Sequence, residues 1–480
     1  MPASFLFYDL ETFGADPRTS RIAQFAAIRT DSDLRQIEDP VSFFVQPADD
    51  LLPSPIATLI TGITPQQALR DGFTEAEAFA RIVDEMSRPE TCTLGYNSLR
   101  FDDEFVRHGL FRNFHDAYER EWRGGNCRWD LLDVLRLAHA VRPEGIVWPK
   151  REDGAPSFRL EHLAAANDVR TGNAHEALSD VHALIGIARK LRGAQPKLWD
   201  YALRLRDKRY AAQLLDVIGM TPVLHVSQRY PAARLCAAAV LPLARHPHID
   251  SRVIVFDLDG DPQALLALDP EDIADRLYTP AADLPEGEAR IGLKEVHLNR
   301  CPALIEWHHL REPDLARLGI DPEVVASRAA TLRAAGPALA EKVRRVYAVE
   351  RVRDKSDVDA SLYEGFVGDG DKRRLIEVRA SAPEELGTRP FPFTDQRLAE
   401  MLFRYRARNW PGTLTHDERS RWDDYRRRRL LTESGLAELS LEQYRLEIER
   451  LRATHALDGS RLVLLDQLDH WGNAIETTLT

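Results

Sequence analysis

The sequence predicts an α/β domain followed by a small β-rich domain and a mostly helical one. Three observations carry that reading. Apolar strand-like runs alternate with helical periodicity through 1–195, short β-rich runs broken by Pro and Gly fill 196–350, and few strand signals remain in 351–480. The 480 residues accommodate three domains at about 150 residues each. Strands joined by crossover helices imply a layered α/β architecture for the first.

Taken in order, residues 5–10 form a short apolar strand, 22–29 a second and 41–45 a third. A helix covers 75–86, and a strand at 92–96 ends in the turn signal Asn97-Ser98. Helices follow over 103–111, 130–140 and 176–191, the last strongly periodic. Gln195-Pro196 marks the first boundary, because proline terminates that helix. Beyond it, 222–226, 236–243, 253–258 and 296–298 read as strands between turns such as Asp259-Gly260-Asp261-Pro262. Helices at 313–318 and 322–346 are appended to them, and the remainder is helical.

The composition, 44% apolar and 29% charged, is that of a globular protein and excludes general disorder. No 18-residue apolar run could span a membrane, and the N-terminus lacks a signal-peptide pattern. Cys92, Cys127, Cys236 and Cys301 are far apart with no Cys-x-x-Cys, which excludes a zinc ribbon or disulfide scaffold and fits a reducing cytoplasm. The net charge of −12 argues against a sequence-blind positive coat, so a nucleic-acid partner requires a local basic groove. Bound divalent ions would reverse the sign at a carboxylate site.

The informative stretch is Phe7-Tyr8-Asp9-Leu10-Glu11-Thr12-Phe13-Gly14. Strand side chains have period two, so Asp9 and Glu11 share a face, where a divalent cation is the usual compensation for paired acids. Taken alone, the pair is better read as a solvated strand end. Two further blocks change that: Asn97-Ser98-Leu99-Arg100-Phe101-Asp102-Asp103-Glu104-Phe105 at a strand-to-helix turn, and His175-Glu176-Ala177-Leu178-Ser179-Asp180 opening a helix. Five helical residues rotate by about 500°, so His175 belongs at or before the helix start and Asp180 a turn inside.

Asp9, Glu11, Asp102, His175 and Asp180 together match F-x-D-x-E-T-x-G, F-D-x-x-F and H-x-x-x-x-D, and the chain resembles the DEDDh exonucleases, which are built on an RNase-H-like sheet. More narrowly it resembles bacterial exonuclease I. The stretches 25–31, 59–66, 128–134 and 156–163, and Tyr405-Arg406-Ala407-Arg408-Asn409-Trp410-Pro411-Gly412-Thr413-Leu414, carry that likeness along essentially the whole chain. The resemblance implies an RNase-H-like exonuclease domain, an SH3-like β domain and a C-terminal helical domain, forming a clamp on single-stranded DNA within one chain, hence a monomer.

It also implies a chemistry: 3′→5′ hydrolysis of single-stranded DNA to 5′-mononucleotides, assisted by two Mg²⁺ ions with Mn²⁺ as a substitute, in DNA repair and recombination. Asp9 would bridge both ions, Glu11 and Asp180 would complete the coordination of the first ion, and Asp102 would support the second ion, directly or through water. His175 would accept the proton of the attacking water, a task for which a near-neutral pKa is suited. The F-D-x-x-F spacing selects Asp102; Asp103 and Glu104 read as solvated helix-start acids. Glu11 and Arg159 are implied at the substrate, with Arg107, Trp122 and Arg136 as weaker DNA contacts; from spacing alone, Arg159 reads equally as a surface partner of Glu161.

A partner follows from the same resemblance, the acidic, phenylalanine-ending tail of single-stranded-DNA-binding protein. The matching positions are Arg142, Tyr201 and Arg311: arginine holds a C-terminal carboxylate bidentately and an aromatic wall receives the ring. Without the resemblance, all three read as ordinary surface residues. Between Arg397 and Arg429 lie ten arginines and five acids, together with Phe403, Tyr405, Trp410, Trp422 and Tyr425. That window suits backbone tracking and base stacking; a solvated arginine face over core aromatics is the alternative.

Two other functions compete. An RNA-trimming or proofreading nuclease of the same superfamily is usually a lone domain of about 200 residues, and comparing DNA with RNA digestion separates it. A non-catalytic scaffold would lack metal-dependent activity, and all five catalytic positions are present.

Overall fold

The computed structural model describes residues 2–170, 172, 176–349 and 356–479. Its contacts divide the chain into two compact units: Met1–Cys127, Arg170–Ile185 and Asp354–Thr480 form the first, and Arg128–Val169 and Gly186–Arg353 the second.

The first unit is built on strands β1 (Ser4–Thr12), β2 (Ile22–Thr30), β3 (Val41–Phe44) and β4 (Thr91–Gly95), with β5 (Cys127–Asp130) entering at Cys127, in the sheet order β3-β2-β1-β4-β5. Central β1 pairs antiparallel with β2, placing Asp9 opposite Ala26 and Glu11 opposite Gln24, and parallel with β4 from Ser4↔Thr91 to Phe7↔Leu94. Phe5, Leu6, Phe7 and Tyr8 are all buried, as a strand covered on both faces requires. The crossover includes the helix Glu75–Met86, begun by a Thr74–Glu77 capping box and burying Ala78, Phe79, Ile82 and Met86 at helical spacing. The helix Asp102–Arg112 packs so closely on it that a Cβ at Gly109 would lie 1.8 Å from the Phe79 ring.

The last segment of this unit supplies the helices Asp369–Ala380, Arg397–Asn409, His416–Arg427, Leu441–Thr454 and Gly459–Leu479. A buried ion network ties it to the first segment. Arg408 donates to Asp50 at 2.8 Å, and Arg429 to the Asp50 and Thr19 carbonyls at 2.8 and 2.7 Å; within the last segment Arg408 reaches Asp359 at 2.9 Å and Arg404 reaches Asp357 at 2.6 Å and Asp359 at 3.2 Å. Arg406 pairs with Glu418, and Arg426 with Asp423. Phe403, Tyr405, Trp422 and Tyr425 are core. The arginine–aromatic window is thus largely internal, and the DNA-tracking expectation for its buried arginines is corrected.

The second unit holds an antiparallel sheet, β6 (Val223–Val226), β7 (Ala237–Arg245), β8 (Arg252–Asp257), β9 (Leu293–His297) and β10 (Ala303–Glu306), in the order β10-β6-β7-β8-β9. Both faces are covered. Leu241, Leu243, Ile254 and Phe256 pack against the helices Pro270–Tyr278, Pro322–Ala334 and Pro337–Tyr347. Val240, Val253 and Val255 pack on the opposite face with Ala211 and Leu214 of the helix Lys208–Leu214. This is the period-two alternation of strands. The single helix expected over 322–346 is two: Gly336 adopts φ 63° and Pro337 opens the second. Pro196 likewise starts a helix, Pro196–Arg204, directly after the one it ends. Among the described residues no helix is long and apolar enough to cross a membrane.

Candidate functional site

Asp9 and Glu11 project from one face of β1, and Asp180 lies in the first turn of the helix Ala177–Ala194. These three residues each offer an oxygen within 4.8 Å of the others'. Asp102 begins the helix Asp102–Arg112 and is 4% exposed. The chain reaches it through a tight turn in which Asn97 takes φ 61° and the Asp103 amide donates to the Ser98 carbonyl at 2.9 Å. A Cβ at Gly95 would lie 2.5 Å from that of Ser98, so the turn has room only for glycine there.

Electrostatics bind the four acids into one group. Burial raises the Asp9 carboxyl far above its usual range, and the charges of Asp102, Glu11 and Asp180 raise it further. Glu11 is pushed up to about 8 by burial, then by Asp180 and Asp102. Four carboxylates in one another's field cannot all ionise without a cation. An all-oxygen donor set of this kind suits a hard divalent ion.

Asp103, expected in solvent, is instead 1% exposed. It accepts from the Tyr8 hydroxyl at 2.8 Å and from Arg120 at 2.6 Å, tying β1 to the helix that carries Asp102. The burial of its neighbours on both elements draws it inward. Glu104 is half-buried as well, with Arg107 at 3.2 Å and the Tyr363 hydroxyl as partners. Arg170 was not anticipated at all: it donates to Asp180 at 2.7 Å. Nothing in the local sequence marks it, because an arginine ten positions from an acid signals no contact. His175 lies outside the described residues.

The substrate candidates divide by environment. Arg107 is buried and forks Glu121 at 2.7 and 2.9 Å, and Arg136 is buried and donates to Asp133 at 2.8 Å. Trp122 is 63% exposed. The Arg159 side chain is 73% exposed, with Glu161 at 3.8 Å, a separation at which an exposed pair contributes little.

The partner candidates all fall in the second unit. A cavity of about 400 Å³ is lined by Arg142, Lys197, Leu198, Tyr201, Ile305 and His309, among others. Arg142 donates to Asp314 at 2.8 Å, and Arg311 forks the same carboxylate at 2.8 and 3.0 Å. That carboxyl is held down to about 2: the hydrogen bonds from Arg311 and Arg142 outweigh its own desolvation. The structure therefore brings Arg142 and Tyr201 to one cavity and joins Arg311 to Arg142 through Asp314.

Comparison with known proteins gives three family matches. Residues 6–188 match the Exonuclease family model, 206–349 the exonuclease I SH3-like domain and 356–475 the exonuclease I C-terminal domain. The chain is 44% identical to exodeoxyribonuclease I of Escherichia coli (strain K12) over 474 residues, 98% of either chain. It is 41% identical to that of Haemophilus influenzae over 471 residues, again 98% of each. Among solved structures, a moderately thermophilic exonuclease I from Methylocaldum szegediense superposes with a TM-score of 0.95 at 46% identity, covering 100% of both chains. E. coli exonuclease I in complex with a dA16 oligonucleotide superposes at 0.94 with 44% identity, covering 98% of this chain and 100% of that one. The zinc-ion-bound form of the E. coli exonuclease I–single-stranded-DNA complex gives 0.93 at 43% identity, with 98% and 99% coverage.

Proposed function

The chain belongs to the exodeoxyribonuclease I family, and from that premise we propose its reaction and the residues that perform it. It is a 3′→5′ exonuclease that hydrolyses single-stranded DNA to 5′-mononucleotides with divalent-cation assistance. The observation that carries the reading is the carboxylate group itself: Asp9, Glu11 and Asp180 with oxygens within 4.8 Å of one another, and Asp102 acting on Asp9.

Asp9, Glu11 and Asp180 would hold one divalent cation, Mg²⁺ or Mn²⁺, and Asp9 with Asp102 a second; such ions would supply neutralisation of the phosphodiester charge and a lowered pKa for water. His175 accepts the proton of the attacking water. The water oxygen bonds to phosphorus, the bond from phosphorus to the 3′ oxygen breaks, that oxygen takes a proton from solvent, and the strand one nucleotide shorter leaves with a 3′ hydroxyl. Tyr8 and Arg120 position the reacting side of the site by fixing Asp103. Arg159 and Trp122 are the substrate candidates whose side chains reach solvent, one for phosphate and one for stacking. Digestion of 3′-labelled and 5′-labelled single strands, with Mg²⁺ and with EDTA, tests the reading: release from the 5′ end, or undiminished release in EDTA, overturns it.

The cavity walled by Arg142 and Tyr201 receives the acidic, phenylalanine-ending tail of single-stranded-DNA-binding protein. Support comes from the cavity lining, which combines Arg142 and Lys197 with the aromatic Tyr201 and apolar Leu198 and Ile305. The enzyme acts as a monomer in the cytoplasm, in DNA repair and recombination; its four free cysteines accord with a reducing compartment. The three segments 1–195, 196–350 and 351–480 serve as nuclease, SH3-like and helical domains.

A further inference from the structure

We propose that Glu306, His308 and His309 form a binding site for a borderline-soft divalent cation of the Zn²⁺ class, separate from the carboxylate site. One donor atom from each residue lies within 4.8 Å of the other two. Glu306 Oε2 and His309 Nδ1 are already 3.5 Å apart. The two imidazole rings lie 4.1 Å apart, tilted by 51°.

Geometry decides whether that spacing suits a metal. Zinc bonds of about 2.0–2.2 Å in tetrahedral arrangement require donors about 3.4 Å apart. The glutamate–histidine separation meets that value. A pair at the 4.8 Å limit closes by about 1.4 Å, which rotation of an exposed side chain supplies. The backbone holds the group in register. Glu306 ends β10, paired with Val223, and a single 3-10 turn, Trp307–His309, brings both imidazoles back beside it. Tyr201 meets the His309 ring edge-on at 6.0 Å and limits its rotation.

Donor chemistry selects the ion. Two imidazoles and one carboxylate suit Zn²⁺, Co²⁺, Ni²⁺ or Cu²⁺, whereas the all-oxygen nuclease site suits Mg²⁺ or Mn²⁺. His308 and His309 are exposed, so a hydrated ion has direct access and keeps water in its remaining positions. A plain surface ion pair would explain Glu306 and His309 but not the third donor in the same small sphere.

The test is a Co²⁺ titration of the full-length chain in excess Mg²⁺, which occupies the oxygen-ligand site, followed by visible absorption. The expected result is an intense d–d band saturating at one Co²⁺ per chain and displaced by Zn²⁺. The His308→Ala/His309→Ala double variant lacks that band while its circular dichroism matches the parent, and Glu306→Gln weakens Co²⁺ binding by about tenfold or more. No intense band in the parent, or one of equal strength in the double variant, overturns the proposal. The readout is independent of nuclease activity, so it stands or falls apart from the nuclease reading.

Discussion

Glu11→Gln should stabilise the metal-free protein while removing its activity. The Glu11 carboxyl sits at about 8 instead of its ordinary 4.5 because burial, Asp180 and Asp102 all disfavour its charge. Between those values the unfolded chain releases a proton that the folded chain retains. Stability is therefore lost as pH rises from about 4.5 to about 8, at about 1.4 kcal/mol per pH unit. The loss reaches on the order of 3 kcal/mol at pH 7 and 5 kcal/mol above pH 8. Exposure of only 7% leaves little solvent screening to reduce it. Glutamine does not titrate, so in EDTA the variant should exceed the parent by those amounts, with no difference near pH 4.5. Saturating divalent cation narrows the difference at pH 8 and reverses it at pH 5: at a hundred times Kd the parent gains about 2.7 kcal/mol that the variant largely forgoes. Urea unfolding at pH 5 and pH 8, in EDTA and in Mg²⁺, measures this on the transition that responds to the cation. A variant no more stable than the parent in EDTA at pH 8 would refute the account of the site as mutually repelling buried acids.

Four further outcomes are expected. Asp9→Asn should lower nuclease activity by about 10³-fold or more with the fold intact; activity within tenfold of the parent, measured on labelled single strands, counts against its assignment. His175→Ala should slow hydrolysis by about 10²- to 10⁴-fold without loss of metal affinity by calorimetry. Asp359→Ala should cost about 3–5 kcal/mol, read as a lower urea midpoint, because Arg404 and Arg408 lose a carboxylate at which their side chains are 6% and 3% exposed. Arg311→Ala should weaken tail-peptide binding by about 2 kcal/mol or more in fluorescence anisotropy, while Arg142 still holds Asp314 and digestion of naked DNA is unchanged.

Four strands of the first sheet were legible because their signals are local, whereas β5 (Cys127–Asp130) was not read as a strand. An apolar strand followed by two acids at period two fixes both the core and the face of Asp9 and Glu11, and the Thr74–Glu77 box marks the helix start at Glu75. Elements lacking such a signal were missed. β10, the sequence Ala-Leu-Ile-Glu, is four residues long, and its register comes from pairing with β6 rather than from its own pattern. The break at Gly336 is written in a Gly-Pro pair, but the flanking periodicity runs through it. Asp103 shows the limit within the site: the F-D-x-x-F spacing selects Asp102 over it, but nothing local tells that Asp103 is buried, because Tyr8 and Arg120 reach it from distant positions.

The arginine-rich window exposes the same limit in charge. Counting within 397–429 gives a local excess of +5 and suggests a nucleic-acid groove. The sum omits Asp50, Asp357 and Asp359, acids outside the window that meet Arg404 and Arg408 in the fold. Asp359 is held well below the usual carboxylate range: the charges of Arg408 and Arg404 more than offset its burial. An arginine so paired is not available to a phosphate at the cost of a simple rotation, because leaving would strand a buried carboxylate at several kcal/mol. The excess therefore describes how the last segment is fastened to the first within this unit. Of the arginines within the window only Arg419, Arg421 and Arg428 face solvent, and Arg421 is itself paired with Glu400.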